Sequence, residues 1–303
     1  MAPIIPESDS NQQYYDMSTS QRLGRGRYST VFECRDSDGQ RFAVKLFRDR
    51  SQENIEHEIG ILKHLRGGPN IIAFIDSVQG FQGSGFGIVL ELVDHVDFRT
   101  LFPRFGDFDI RYYTRELLRA LQFSHSRGVM HRDVRPHNVL IDHEHRKLRL
   151  VGWGSSGVHR AGQAHTLRVS VWRPPELLLG FERYDYSLDM WQLGSMLASM
   201  VFRKEPFFHG NSRLDQLVKI ARVLGTDRLY AYVSKHNMDL DGEDIEALGN
   251  LPCQPFTIFV NSDNERLVTD EAMDLLQRLL LFDHEDRLTA REALAHTYYQ
   301  ALG

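Results

Sequence analysis

Residues 131–138 read His-Arg-Asp-Val-Arg-Pro-His-Asn, which places the carboxylate of Asp133 five positions before the carboxamide of Asn138. Phosphoryl transfer needs a carboxylate that orients the attacking hydroxyl and accepts its proton, and a neighbouring amide oxygen that can hold Mg2+. Asp133 and Asn138 are the right types at a usable spacing, and a purely structural reading of this string is weak. Gly24-Arg25-Gly26-Arg27-Tyr28-Ser29 lies between two strand-like runs, where small residues let backbone N–H groups approach phosphate oxygens. Alone, such a pattern is more often a tight turn, and Ser29 stands where a full phosphate loop has a third glycine. Phe42-Ala43-Val44-Lys45 follows, and a lysine on an otherwise apolar strand needs an anionic partner or a route to solvent. Glu58 is a candidate partner on a helical segment, with a solvated glutamate as the plainer alternative.

These residues require a strand-rich first part and a helical second part. From Leu23 to Phe47, β-branched and aromatic residues form short runs around the turn Asp36-Ser37-Asp38-Gly39, predicting antiparallel strands. Ile55, Ile59, Leu62 and Leu65 fall at helical spacing over residues 51–65, and Gly67-Gly68-Pro69 ends that helix. Strands resume at 71–75 and 87–93, and helices are expected at 110–128, 187–202, 213–224 and 271–281. The composition changes near Glu91-Leu92-Val93-Asp94, giving expected divisions of a flexible N-terminal arm at 1–20, a strand-rich lobe at 21–93 and a helical lobe at 94–303. Tyr14, Tyr15 and Met17 are the arm's only residues suited to packing.

The 303 residues are 42% hydrophobic and 25% charged with a formal charge of −5, an ordinary globular composition without a general pull toward nucleic acid or anionic membrane. Cys34 and Cys253 make no ligand pattern with nearby histidines, so reduced thiols are expected and a structural zinc is not. Neither a leader pattern nor an apolar run of membrane-spanning length is visible, and a soluble protein of cytoplasm or nucleus is expected.

With the glycine pattern, Lys45, Glu58 and the 131–138 string in this order, the chain resembles the eukaryotic protein kinases from about Leu23 to about Tyr299. The strings at 141–150, 184–191 and 202–210 narrow the resemblance to the casein kinase 2 catalytic (alpha) subunit family. The implied fold is α+β and bilobal, with one helix inserted in a β-rich N-lobe and a mainly helical C-lobe. The implied cofactor is ATP. Its phosphates would meet Leu23, Gly24, Gly26 and the Lys45–Glu58 pair; Val31 and Ala43 would cover the adenine. Leu90 would guard the back of the pocket, and Glu91 to Val93 would form the hinge. Asp133 and Arg135 would act on the transferring group, and Asn138 would hold metal. Glu176 would pair with Arg287, and Asp189 would brace the catalytic loop.

The main departure is Val151-Gly152-Trp153-Gly154, because the family carries its principal Mg2+ ligand, an aspartate, where this chain has Gly152. Two unit charges ~4 Å apart interact by about 4 kcal/mol at an effective dielectric of about 20. A term of ~4 kcal/mol corresponds to roughly a thousandfold in rate. Asp142 and Glu144 lie in the turn after a strand and are expected to point away from the phosphates. Arg135 replaces a lysine, keeping charge but not shape, and the activation segment at 167–176 is about two residues short. Arg168 and Arg173 keep positive charge, but Glu53 and Glu56 replace basic residues and would repel an acidic peptide. The expected function is a pseudokinase or strongly impaired Ser/Thr kinase that binds nucleotide, a protein partner, or both, with Mg2+ dependence unsupported. The alternative is an active Ser/Thr kinase acting on protein hydroxyls, motivated by Asp133, Asn138, Lys45 and Glu58. The family's regulatory β-subunit is a candidate partner, although residues 76–90 differ in character from its docking strands.

Overall fold

The structure, a computed structural model, describes residues 5–6, 15–17, 21–26, 28–48, 51–79, 86–165 and 172–302. In chain order the first elements are β1 (Ile5–Pro6), β2 (Arg22–Arg25), β3 (Ser29–Arg35), β4 (Arg41–Phe47), α1 (Gln52–His64), β5 (Phe74–Gln79) and β6 (Phe86–Glu91). There follow α2 (Phe98–Leu101), α3 (Asp107–Ser126), β7 (Val129–Met130), β8 (Val139–Asp142), β9 (Lys147–Leu150) and β10 (Gly157–Val158). The remaining helices are α4 (Pro175–Leu178), α5 (Ser187–Val201), α6 (Arg213–Leu224), α7 (Thr226–Lys235), α8 (Gly242–Leu248), α9 (Asp270–Leu279) and α10 (Ala290–Leu294). Two compact units result, one of Met1–Val96 with Leu140–Ser156, the other of Asp97–Val139 with Gly157–Gly303. The first therefore ends slightly later than the composition change suggests, and it also takes in the β8–β9 segment, which pattern reading assigns to the helical lobe.

The first unit is built on an antiparallel six-stranded sheet in the order β1-β5-β6-β4-β3-β2. The turn between β3 and β4 forms because the Asp36 carboxylate accepts from the N–H groups of Asp38 and Gln40, at 3.0 and 2.8 Å, and Gly39 takes a φ of +81°. Alternation along β4 sends Phe42 and Val44 to one face, where they pack with Cys34, Val78 and Val89. Tyr15 and Met17 cover that cluster, and Asp16 bridges to Arg35, so this part of the expected loose arm is ordered against the sheet. Its polar composition hid two side chains that complete an apolar face. Burial pushes the Cys34 thiol up to about 12, leaving it inert, and Cys253 is a free exposed thiol.

Helix α1 starts at the N-cap Ser51, whose hydroxyl accepts from Asn54 N–H, and buries Ile55, Glu58, Ile61 and Leu62. The chain between α1 and β5 is not the strand expected at 71–75. Ile71 makes a single bridge to Leu150, and β5 begins only at Phe74.

In the second unit, every residue of α5 is buried. A buried polar side chain costs free energy unless it is hydrogen-bonded, and Ser199 is, through the Ser195 carbonyl and the Phe207 N–H. Gly194 lets α9 approach, since a Cβ there would sit 2.9 Å from the Cβ of Leu279. Helices α3 and α9 run close to the spans expected from periodicity, whereas α7 follows α6 after only Gly225 and lies outside those expectations. Among the described residues no helix is long and apolar enough to cross a membrane.

Glu176 on α4 and Arg287 form a bidentate pair with both contacts at 2.7 Å and both side chains fully buried. Arg287 also donates to the carbonyls of Leu281, Phe282 and Ser187 and lies over the Trp191 ring. Removing one partner of such a pair strands the other charge. Arg287→Ala is expected to cost about 3–5 kcal/mol, measured by urea unfolding followed by near-UV circular dichroism; a change within about 0.5 kcal/mol, as for an ordinary surface site, would refute the assignment.

Candidate active site

The candidate residues divide between the two units. In the first, the β3–β4 register pairs Val31 with Lys45, and the β4–β6 register pairs Ala43 with Leu90. Since side chains two positions apart share a face, Val31, Ala43, Lys45 and Leu90 lie together, opposite the cluster under Tyr15. Lys45 ends in an ion pair with Glu58, its side chain 15% exposed and that of Glu58 3%. The helical position that looked ambiguous in sequence thus carries a buried carboxylate facing the strand lysine. Lys45 also lies 5.0 Å from the Phe47 ring centroid.

Leu23 sits where the β2–β3 register shifts between Arg22 and Gly24. Gly26 N–H closes the following turn onto the Ser29 carbonyl at 2.8 Å. A Cβ on Gly24 would meet nothing within 4 Å, one on Gly26 would meet only ordinary contacts, and neither glycine has a positive φ. The fold itself does not require glycine at these two positions, although glycine weakens a strand.

Glu91 has a use that the sequence pattern did not show. Its carboxylate accepts from Arg149 Nε at 2.6 Å, Lys147 Nζ at 2.9 Å and Ala73 N–H at 2.9 Å, tying β9 and the 71–73 segment to β6. Burial alone would raise its pKa, but these donors hold it below the usual carboxylate range. Val93 is buried, and its carbonyl accepts from His95 N–H at 2.8 Å.

Gly152 adopts φ 85° and ψ 33°, the left-handed conformation that glycine enters freely and aspartate tolerates better than most residues. The residue after it is firmly held. Trp153 is fully buried and donates its indole N–H to the Leu150 carbonyl at 2.9 Å, and His57 on α1 contacts the Ser156 carbonyl at 2.9 Å. Asp142 does not offer a spare carboxylate, because its oxygens are engaged by His145 N–H at 3.1 Å and the His145 ring at 2.8 Å.

In the second unit, the 131–135 loop rests on α5. Asp189, fully buried, accepts from His131 N–H at 2.8 Å, Arg132 N–H at 2.7 Å and the His125 ring at 2.9 Å. Gln192 accepts from Val134 N–H at 2.8 Å. Arg132 is thereby held at φ 66°, a conformation uncommon for arginine. Beyond it, Asn138 donates to the Asp133 carboxylate and carbonyl, each at 2.8 Å, and Arg135 Nε lies 3.3 Å from the same carboxylate. The amide nitrogen of Asn138 is thus used in positioning Asp133.

A protein kinase domain family model matches residues 17–299. The chain belongs to the protein kinase family. The strand-rich and helical units are those of the α+β kinase fold, and the family uses ATP and acts on protein substrates. This kinase retains the loop that presents Asp133 and the buried Lys45–Glu58 pair. Mg2+ favours several hard oxygen ligands including carboxylates, and in the first unit position 152 supplies no side chain while both Asp142 oxygens are engaged by His145. Arg168, Thr166 and Ser170 lie outside the described residues; Arg173 is half-buried.

Burial would raise the Asp189 carboxyl, but His125 and the loop N–H groups lower it overall. A depressed folded-state pKa means a stabilising contribution present above the ordinary aspartate range and lost as pH falls through the lower folded value. Asp189→Asn should therefore cost about 3–5 kcal/mol at neutral pH, and its deficit relative to wild type should shrink in acid. Denaturant titrations at a series of pH values check this; a deficit independent of pH would overturn it.

Proposed function

We propose that this kinase is casein kinase 2 alpha-like and has lost, or strongly reduced, phosphotransfer, acting instead by binding a nucleotide, a protein partner, or both. The observation that carries the reading is Gly152: the backbone there is held in a fixed left-handed turn by the buried Trp153, yet it presents no carboxylate. The conformation supports a lost ligand within an intact frame more than it supports a collapsed segment.

Nucleotide binding is supported by Gly24 and Gly26, whose small size the fold does not use and close approach to phosphates would. Lys45, oriented by Glu58, supplies positive charge, and Val31 and Ala43 lie on its face to cover an adenine ring. Protein binding is supported by a cavity of about 600 Å³ in the first unit, lined by Arg22, Arg25 and Arg48 with Phe32 and Leu46. That lining suits a partner segment combining acidic and apolar side chains, and a subunit of the family's regulatory type is one candidate. The acidic-substrate preference of the casein kinase 2 relatives is not proposed, because Glu53 and Glu56 are exposed on α1.

A second reading, an active Ser/Thr kinase that transfers the ATP γ-phosphate to protein hydroxyls, is favoured by the Asp133 loop, which retains a positioned carboxylate beside Asn138 and Arg135. The two readings separate on metal dependence. Thermal unfolding with ATP, with and without Mg2+, should show a shift that Mg2+ does not enlarge; at ~100 times Kd a ligand adds about 2.7 kcal/mol. A shift that grows markedly with Mg2+ would restore the active reading. Gly24→Val should leave the unliganded melting temperature within the effect of a surface change, about 0.5 kcal/mol, while abolishing the ATP shift; retention of that shift would refute the glycine assignment.

Gly152→Asp should fold at a cost on the order of 1 kcal/mol and gain Mg2+-dependent transfer of labelled phosphate to a casein-type substrate or to itself. A folded variant without transfer would show that Gly152 alone is not what blocks catalysis.

A further inference from the structure

Tyr232 on α7 and His236, the residue that caps the C-terminus of that helix, lie one turn apart, and both face His284 in the second unit. The His236 and His284 rings lie 4.9 Å apart at 41°, and the Tyr232 hydroxyl contacts His284 Nδ1 at 2.8 Å. Phe181 closes the other side at 5.4 Å from His236 and 5.2 Å from His284. His284 is buried, Glu285 beside it is exposed, and one nitrogen from each imidazole and a Glu285 oxygen all lie within 4.8 Å of one another. None of these residues belongs to the phosphotransfer machinery, and their wide separation in the chain explains why motif spacing gave no signal.

We propose that His236, His284 and Glu285 form a binding site for a borderline divalent transition-metal ion of the Zn2+ type. Two imidazoles and a carboxylate are a donor set that such ions favour, with water completing the shell. The ring held by Tyr232 has the kind of outer-shell contact that orients metal-binding histidines. A route for the ion exists, because His284 and Glu285 also line a cavity of about 710 Å³.

Lys235 supplies the competing interaction. Its ammonium lies 2.5 Å from Asp283 and 2.9 Å from Glu285, and Asp283 in turn lies 3.3 Å from His236 Nε2. An ion on Glu285 displaces this ammonium from that carboxylate, so metal and Lys235 compete for one anionic group. Bound metal would clamp the end of α7 to the loop that carries Arg287, the buried partner of Glu176.

The test uses the full chain, stripped with chelator and titrated with Co2+ while visible absorption is recorded, then with Zn2+ in competition and in thermal unfolding. Saturation at one Co2+ per chain, displacement by Zn2+ and a raised melting temperature with Zn2+ are expected. His236→Gln should weaken binding by more than the roughly 10–100-fold that loss of an outer-shell partner costs. Glu285→Gln, at an exposed position, should also weaken it, and Lys235→Met should tighten it. No binding by the wild type, or unchanged affinity in Glu285→Gln, overturns the proposal. Unchanged affinity in a folded His236→Gln does the same, since it would place the ion elsewhere among the chain's 14 histidines. Weaker binding in Lys235→Met would show that the ammonium does not compete and would equally overturn it.

Discussion

The buried carboxylate of Asp189 is the constraint on which the 131–135 loop depends. A charge taken fully out of water is tolerable only when donors replace its hydration, and here the donors are the backbone N–H groups of His131 and Arg132 together with the His125 ring. Because those N–H groups must point down onto α5, Arg132 is driven into a left-handed conformation and the chain beyond it presents Asp133. Gln192, one turn along the same helix, fixes Val134 in the same way. The loop is therefore positioned by a helix whose residues are all buried.

The first unit obeys a different constraint, the two-residue period of its sheet. One face of β4 is sealed by Tyr15 and Met17, and the other carries Ala43 and Lys45. Lys45 can end in a nearly buried position because Glu58 is presented by α1. That helix also contacts the segment after Gly152 through His57, so the lysine partner and the turn at Gly152 share one support. Trp153, buried in the same unit, keeps the turn at Gly152 fixed through its indole contact with the Leu150 carbonyl.

The charged residues of the two units divide between those that shape the molecule and those that remain for chemistry. Glu91 holds two basic side chains of β9, and Glu176 and Arg287 neutralise each other in the core. Asp142, which by sequence position could have been considered as a spare ligand, is consumed by His145. With these commitments subtracted, Asp133, Arg135 and Asn138 remain as one local group and Lys45 with Glu58 as another.

The sequence by itself determined the order of elements, the turn at Asp36–Gly39, the helix around Glu58, the 131–138 loop and the glycine at position 152, because each depends on local periodicity, turn chemistry or a residue's identity. It also marked Lys45 as a strand lysine needing a partner. Only the tertiary structure decided that Glu58 is that partner and not a solvated side chain, since the answer depends on how α1 packs on β5 and β6. Packing likewise turned Tyr15 and Met17 from residues of a polar arm into the cover of a sheet face, and moved the start of β5 to Phe74. The Glu91 contacts to Lys147 and Arg149, and the meeting of His236 with His284, join residues from distant elements. No local pattern encodes such pairs; they exist because burial of α5 and closure of the sheet bring separate segments together.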